Sequence, residues 1–133
     1  MKSSMLHQLI LSGLLTATNA QADTVDDLLT DYRSQGASHF NPSKGEALWQ
    51  RQFPASNGTE RACTGCHTHD PRQSGQHTVT NKTIGPMAPS MNPKRLSDRR
   101  KVEKWFKRNC KWTVGRECTP QEKGDVLSFL RNQ

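Results

Sequence analysis

The sequence has few of the apolar residues from which a protein core is normally built. Only 32% of its 133 residues are hydrophobic and 6% are aromatic, with one tyrosine. This is below the apolar share of ordinary globular domains, so a core made from these side chains alone would be thin. The chain also lacks internal repeats and low-complexity tracts. Its length is enough for one domain.

Long hydrophobic runs are missing as well, and no stretch is apolar enough to serve as a membrane anchor. The N-terminus begins with Lys2, continues with a short apolar stretch at residues 9–15 and reaches the small residues Ala20 and Ala22. This order is typical of a cleaved secretory signal peptide. We therefore expect residues 1–22 to be removed and residues 23–133 to form a soluble, exported domain.

Cysteine is scarce too, and the spacing of two of the four cysteines is the strongest signal in the sequence. Residues 63–67 read Cys-Thr-Gly-Cys-His, the attachment signature of a c-type haem. The thiols of Cys63 and Cys66 would each add across one haem vinyl group. The imidazole of His67 would then ligate the iron. A porphyrin would also supply the apolar surface that the composition lacks.

Two other kinds of site use a Cys-x-x-Cys pair. A four-thiolate zinc site needs a second such pair, and Cys110 and Cys118 are not so spaced. A thioredoxin-like site needs a strand–helix setting, whereas residues 54–75 are rich in proline, glycine and polar residues. Covalent haem is the better interpretation of the motif, and export places the protein in the bacterial periplasm, where disulfides persist.

Apolar residues that recur every three or four positions predict four helices. These run over residues 24–35, from a capping box at Ser43 and Glu46 to about Gln52, from a cap at Ser97-Asp98 to about Asn109, and from a capping box at Thr119 and Glu122 to about Leu130. Residues 68–92 contain turn signals without periodicity, and we expect them to wrap one face of the haem. The predicted fold class is all-α, with about four helices around one covalent haem.

The function depends on the iron ligand opposite His67. A methionine would make an electron carrier of raised potential, whereas a weak or absent ligand would make a gas-binding or catalytic site. Met87 and Met91 lie in a proline-rich run and are the thioether candidates. They are equally suited, as flexible apolar side chains, to fill gaps at the haem edge.

Asn109 is a third candidate for that position. It lies seven residues after Val102 on the apolar stripe of the third predicted helix. A buried amide without a partner costs about 1–3 kcal/mol, and iron would satisfy it. A capping role at the C-terminus of its own helix would satisfy it equally well. The residues by themselves leave both interpretations open.

Several segments resemble the sphaeroides haem protein (SHP) family of monohaem c-type cytochromes. They are residues 104–110 (Lys-Trp-Phe-Lys-Arg-Asn-Cys), residues 115–119 (Gly-Arg-Glu-Cys-Thr) and residues 87–93 (Met-Ala-Pro-Ser-Met-Asn-Pro), downstream of the haem motif. The resemblance reaches from the haem motif to the C-terminus. It implies a small class I-like cytochrome c fold.

The resemblance also implies the site residues. It makes His67 and Asn109 the axial ligands of a high-spin iron and pairs Cys110 with Cys118. Two exported cysteines outside the haem motif are expected to pair on general grounds as well. Closing their nine-residue loop would stabilise the fold by roughly 2.5 kcal/mol in the chain-entropy model.

The resemblance implies a function in electron transfer and gas binding. Asn109, a weak ligand, would dissociate on reduction and open the iron to O2, NO or a similar diatomic. Electrons would come from a dihaem cytochrome c and a membrane cytochrome b. Whether the protein turns over as an oxygen- or NO-reacting oxidoreductase stays open. The alternative is an ordinary electron carrier with a histidine and a methionine ligand, Met87 or Met91.

The charge balance agrees with a redox partner of opposite charge. The chain has 19 Lys and Arg against 12 Asp and Glu, a net charge of +7, which falls to +6 when the signal segment with Lys2 is removed. Such a charge steers a small protein toward acidic partners, and export makes nucleic acid a poor candidate. The charge serves solubility equally well. We expect a monomer.

Overall fold

The computed structural model describes residues 20–133, and these residues fold mainly into helices. The helices are α1 (Ala20–Ser34), α2 (Pro42–Gln50), α3 (Thr64–His67), α4 (Arg99–Thr113) and α5 (Pro120–Arg131). Two small antiparallel pairs of strands complete the fold: β1 (Phe53–Pro54) with β2 (Glu60–Arg61), and β3 (Gly75–Gln76) with β4 (Thr83–Ile84). The all-α prediction is confirmed, and the four predicted helices correspond to α1, α2, α4 and α5.

The predicted signal peptide lies almost entirely outside the described residues, since α1 begins at Ala20. Its cleavage therefore stays a prediction. Across residues 20–133, no helix has both the length and the apolar character that a membrane span requires.

The core lies where α1, α2 and α5 pack together. Its members are Val25, Leu28, Leu29, Tyr32, Trp49, Leu96, Val126, Leu127, Phe129 and Leu130. The close approach of α2 to α5 depends on Gly45, because a Cβ there would lie 2.1 Å from the backbone oxygen of Asp125. Any side chain at that position would push the two helices apart.

The start of α2 differs from the prediction. Its N-cap is Asn41, whose side chain accepts hydrogen bonds from the backbone N–H groups of Ser43 and Lys44. The predicted capping box at Ser43 and Glu46 is therefore wrong. Pro42 explains the shift, since its fixed φ favours the first helical position and moves the cap back to Asn41.

The end of α4 also differs, because the helix continues to Thr113 instead of ending near Asn109. Nothing between these residues interrupts it. The first residue that favours termination is Gly115, which has φ +82° just after the C-cap Val114. Glycine in this left-handed conformation is the common way for a helix to end.

The predicted capping box of α5 is confirmed. The side chain of Thr119 accepts from the backbone of Glu122, and the Glu122 carboxylate accepts from the backbone N–H of Thr119. Arg116 donates to both carboxylate oxygens, at 2.8 and 2.7 Å. The hydrogen bonds from Arg116 are the main reason why the pKa of Glu122 falls to about 2.

This cap predicts a pH dependence of stability. The folded-state pKa of Glu122 lies below its ordinary value, so the carboxylate stabilises the fold above about pH 4.5 and loses that effect as the pH falls toward 2. We expect Glu122→Gln to lower the unfolding free energy at pH 7 by about 1 kcal/mol, the usual worth of a helix cap. The gap from wild type should close between pH 5 and 2.

Urea unfolding at several pH values measures this gap. Glu60→Gln is the matched control, because Glu60 is exposed and makes no ion pair within residues 20–133. A gap for Glu122→Gln that stays constant from pH 7 to 2 would contradict the assignment.

Candidate functional site

The Cys-x-x-Cys-His motif forms one isolated helical turn. Cys63 is the N-cap of α3, and its carbonyl accepts from the N–H groups of Cys66 (3.3 Å) and His67 (3.0 Å). Residues three apart in such a turn lie on the same side. The two thiols are therefore neighbours, and both are free and half-buried. Burial raises the pKa of the Cys63 thiol to about 11.

His67, at the end of this turn, has an imidazole suited to bind iron. Its Nδ1 atom is buried without a hydrogen-bond partner among the described residues. Burial, together with the charges of Arg95 and His77, lowers its pKa to about 4. A neutral, buried imidazole with an unused nitrogen is the form in which histidine ligates a metal. The residues present therefore fit a haem iron.

Trp49 holds the backbone that follows His67. Its indole N–H donates to the carbonyl of Thr68 at 3.1 Å, and its ring centroid lies 5.3 Å from that of His67. Thr68 has φ +64°, a conformation that a β-branched residue rarely adopts and that needs such support. This role of Trp49 has no distinct signature in the sequence beyond the general need of a buried indole N–H for an acceptor.

The β3–β4 hairpin packs directly on the motif. A Cβ at Gly75 would lie 1.8 Å from the carbonyl oxygen of Cys66, so only glycine allows this approach. Between the hairpin and α3 is an open cleft of about 530 Å³, whose lining includes Cys66, Thr68, His77 and Thr78. The hairpin thus lies against the Cys-x-x-Cys-His turn, and the prediction that residues 68–92 wrap one face of the haem stays a prediction. β3 and β4 could not be predicted from the sequence, because two-residue strands are too short to show the alternation of apolar and polar residues that predicts a strand.

The backbone of Met87 is hydrogen-bonded to the segment that directly follows His67. The backbone N–H groups of Met87 and Ala88 both donate to the carbonyl of Pro71, at 2.8 and 2.9 Å. Pro71 is buried and lies only four residues after His67. Met87 itself packs against the core. These contacts place the Met87 backbone beside the segment that follows His67, which disfavours Met87 as the ligand opposite His67.

The side chain of Met91 is 59% exposed, and it is not among the described residues that pack against the core. The loop that carries both methionines is held by Arg95, which donates to the carbonyls of Pro86 (2.8 Å) and Gly85 (2.7 Å). The hydrogen bonds of Arg95 thus fix Gly85 and Pro86, directly before Met87. Met91 lies at the surface beyond them.

Asn109 lies in the interior of α4, four residues before the helix ends. The interpretation of Asn109 as a C-terminal cap is therefore wrong, since the C-cap is Val114. Asn109 is exposed within the described chain, between Trp105 and Trp112, which are 50% and 39% exposed. Tryptophans are seldom left this open in pairs. The face of α4 that carries Asn109 is thus apolar and has no protein partner in residues 20–133.

Both tryptophans carry an arginine over their rings. The Arg108 guanidinium lies 5.3 Å from the Trp105 centroid, and that of Arg61 lies 4.3 Å from the Trp112 centroid. Arg61 also donates to the Trp112 carbonyl at 2.9 Å. These contacts hold both rings on either side of Asn109.

A disulfide joins Cys110 to Cys118 directly after Asn109. Both cysteines are buried, and the ion pair of Lys111 with Glu117 (3.2 Å) spans the same loop. The disulfide ties the C-terminal half of α4 to the start of α5. It therefore restricts the position of Asn109.

The predicted site residues thus fall into two groups. One group is the α3 turn with Cys63, Cys66 and His67, and the other is Asn109 with the adjacent disulfide. No cluster of three or more His, Cys, Asp or Glu that could hold a metal ion occurs in the described part of the chain.

Comparison with known proteins identifies the family. Residues 35–130 match the family model described as "Domain of unknown function (DUF1924)". The chain is 38% identical over 130 residues to the cytochrome c-type protein SHP of Cereibacter sphaeroides, covering 97% of this chain and 100% of the relative. It is 34% identical over 126 residues to cytochrome c'' of Methylophilus methylotrophus, covering 89% and 88%.

Solved structures agree with these relatives. Oxidised cytochrome c'' of Methylophilus methylotrophus superimposes with a TM-score of 0.74 at 31% identity, covering 86% of this chain and 94% of that chain. Oxidised SHP, described as an oxygen binding cytochrome c, superimposes with a TM-score of 0.73 at 37% identity, covering 82% and 96%. The motif on α3 and these relatives together show that the chain belongs to the SHP family of monohaem c-type cytochromes and carries one covalent haem c.

Proposed function

We propose that this cytochrome takes part in electron transfer in the periplasm and that Asn109 is its weak, displaceable sixth ligand. On reduction Asn109 would leave the iron, and the site would then be able to bind O2, NO or a similar diatomic. The observation that carries the proposal is the exposed apolar face of α4, where Asn109 lies mid-helix between Trp105 and Trp112. When bound, the haem would supply an iron that exchanges one electron and can bind a small ligand.

The chain would hold the haem through the α3 turn. Cys63 and Cys66 would form the two thioether bonds, and His67 would be the proximal ligand. Trp49 fixes the backbone after His67, and Gly75 lets the hairpin cover the turn. These contacts restrict the movement of the proximal histidine, while its burial keeps the imidazole uncharged.

Asn109 has the chemistry of a ligand that leaves. Its amide oxygen is a hard, neutral donor, so it prefers ferric iron to the softer ferrous iron. The amide is not used to cap the C-terminus of its helix, because α4 continues to Thr113. The amide of Asn109 also carries an N–H donor, which would be available to a bound diatomic.

Diatomic binding has support from one relative as well. The solved SHP is described as an oxygen binding cytochrome c. An alternative function is that of an ordinary electron carrier with Met87 or Met91 as sixth ligand. The exposure of Met91 favours this alternative, whereas the hydrogen bonds that fix the Met87 backbone near Pro71 disfavour Met87.

The redox partner we propose is acidic on its docking face. α4 exposes four cations that have no carboxylate partner within residues 20–133, namely Arg100, Lys104, Lys107 and Arg108. They lie on the helix that also carries Asn109. The family resemblance indicates a dihaem cytochrome c and, beyond it, a membrane cytochrome b. Electrostatic steering of this kind accelerates encounter at low salt.

Asn109→Ala tests the proposed ligand. In the ferric holoprotein, added imidazole must compete with Asn109 for the iron, so we expect the variant to bind imidazole about tenfold more tightly. Such a change corresponds to about 1.4 kcal/mol of binding free energy. A spectrophotometric titration of the Soret band measures the affinity.

The matched controls are Met87→Ala and Met91→Ala, which should leave the imidazole affinity within about twofold of wild type. An unchanged affinity in Asn109→Ala, with tighter imidazole binding in one methionine variant, would overturn the proposal. The protein would then be a carrier with a histidine and a methionine ligand.

Charge reversal on α4 tests the partner surface. We expect Lys104→Glu combined with Lys107→Glu to slow reduction by an acidic dihaem cytochrome c at least tenfold at low ionic strength, because the steering field is reversed. Stopped-flow rates at low and high salt should converge. Lys44→Glu, an exposed change on α2, is the control and should be slowed far less. Equal slowing by both variants would exclude a docking role for α4.

A further inference from the structure

One carboxylate on α4 connects three helices. Glu103 Oε1 accepts a hydrogen bond from the hydroxyl of Tyr32 on α1 at 2.5 Å. Its Oε2 accepts from the ammonium of Lys123 on α5 at 2.9 Å. The Lys123 ammonium also lies 5.4 Å from the centroid of the Tyr32 ring. Each of the three side chains thus contacts the other two, and together they form a polar triad.

Two members of this triad are largely removed from water, and the third is partly exposed. Tyr32 is 1% exposed and the Lys123 side chain is 18% exposed, whereas the Glu103 side chain is 35% exposed. Burial, reinforced by the hydrogen bond to Glu103, raises the pKa of Tyr32, so the phenol remains a hydrogen-bond donor. Without Glu103 the buried hydroxyl and the sheltered ammonium would both lose their acceptor. Such groups strongly favour the arrangement that pairs them.

The other contacts of α4 are half-buried or exposed. Val102 and Phe106 pack against the core while half-buried, and the ion pairs of the first turn, Arg99 with Asp31 and Lys101 with Asp98, are exposed. Half-buried Arg61 donates to the carbonyl of Trp112. Two polar or covalent restraints on α4 reach buried residues, namely the triad at Glu103 and the disulfide at Cys110. They lie seven residues apart in one uninterrupted helix.

Asn109 lies between these two restraints. It follows Glu103 by six residues, about 9 Å along the helix axis, and it directly precedes Cys110. A helix held at two points has little freedom to rotate or slide between them. The two restraints therefore limit the positions that the amide of Asn109 can take.

From this geometry we propose that Glu103, through Tyr32 and Lys123, is a positioning residue for the displaceable ligand. It fixes the rotation and axial position of α4 that present Asn109. This inference rests on the proposed function, in which Asn109 is that ligand. Loosening the triad lets Asn109 occupy more positions, so it competes less well with an added ligand.

The test is a double-mutant cycle on the ferric holoprotein. We expect Glu103→Ala to bind imidazole three- to tenfold more tightly than wild type. In an Asn109→Ala background the same change should have no effect beyond twofold, because the competing side chain is already gone. Tyr32→Phe keeps the ring packing and removes only the hydroxyl, so it should shift the affinity in the same direction. It carries the test if Glu103→Ala does not fold.

The matched control is Asp26→Ala. Its carboxylate pairs with Arg131 at 2.8 Å and joins α1 to α5 without touching α4. This variant should leave imidazole affinity unchanged, which separates positioning of α4 from a general loss of stability.

Two failures are distinguishable. If Asn109→Ala tightens imidazole binding but neither Glu103→Ala nor Tyr32→Phe does, the positioning role is overturned and the ligand assignment stands. An equal effect of Glu103→Ala with and without Asn109 also overturns it, since the change would then act by another route. If Asn109→Ala itself has no effect, the proposed function fails and this inference with it.

Discussion

The attachment of a haem through two thiols requires one tight helical turn, and much of the fold serves to hold that turn. α3 is only four residues long, so its own hydrogen bonds cannot keep it formed. The support comes from three directions. Trp49 binds the backbone after His67, β3 rests on Cys66 through Gly75, and the segment at Met87 is tied to Pro71. The turn that carries Cys63, Cys66 and His67 is therefore held on several sides.

The proposed role of Asn109 sets a different requirement for α4. A displaceable ligand would have to be held well enough to return and weakly enough to leave. In α4 the helix is anchored by Glu103 and by the disulfide at Cys110, while the face between them remains exposed. The restraint thus acts on the backbone of the helix, and the strength of the proposed bond from Asn109 to iron would depend on the weak amide donor alone.

Much of this structure could be predicted from the sequence. The periodicity of Val25, Leu28 and Leu29 predicts α1, and the Thr119–Glu122 signal predicts the start of α5. These are local patterns. The end of α4 was predicted too early because a polar residue on an apolar stripe resembles a cap, although Gly115 is where the backbone turns.

Contacts between distant segments could not be predicted. Tyr32 and Glu103 are 71 residues apart, and nothing in either local pattern pairs them. The same holds for Trp49, whose acceptor is a backbone carbonyl and has no side-chain signature.

The most direct measurement of the ligand chemistry is the spectrum of the holoprotein, ferric and then reduced with dithionite. A weak Asn109 ligand predicts high-spin ferric iron and five-coordinate ferrous iron that binds CO at once. A low-spin spectrum in both oxidation states would contradict it and indicate a strong sixth ligand that stays bound.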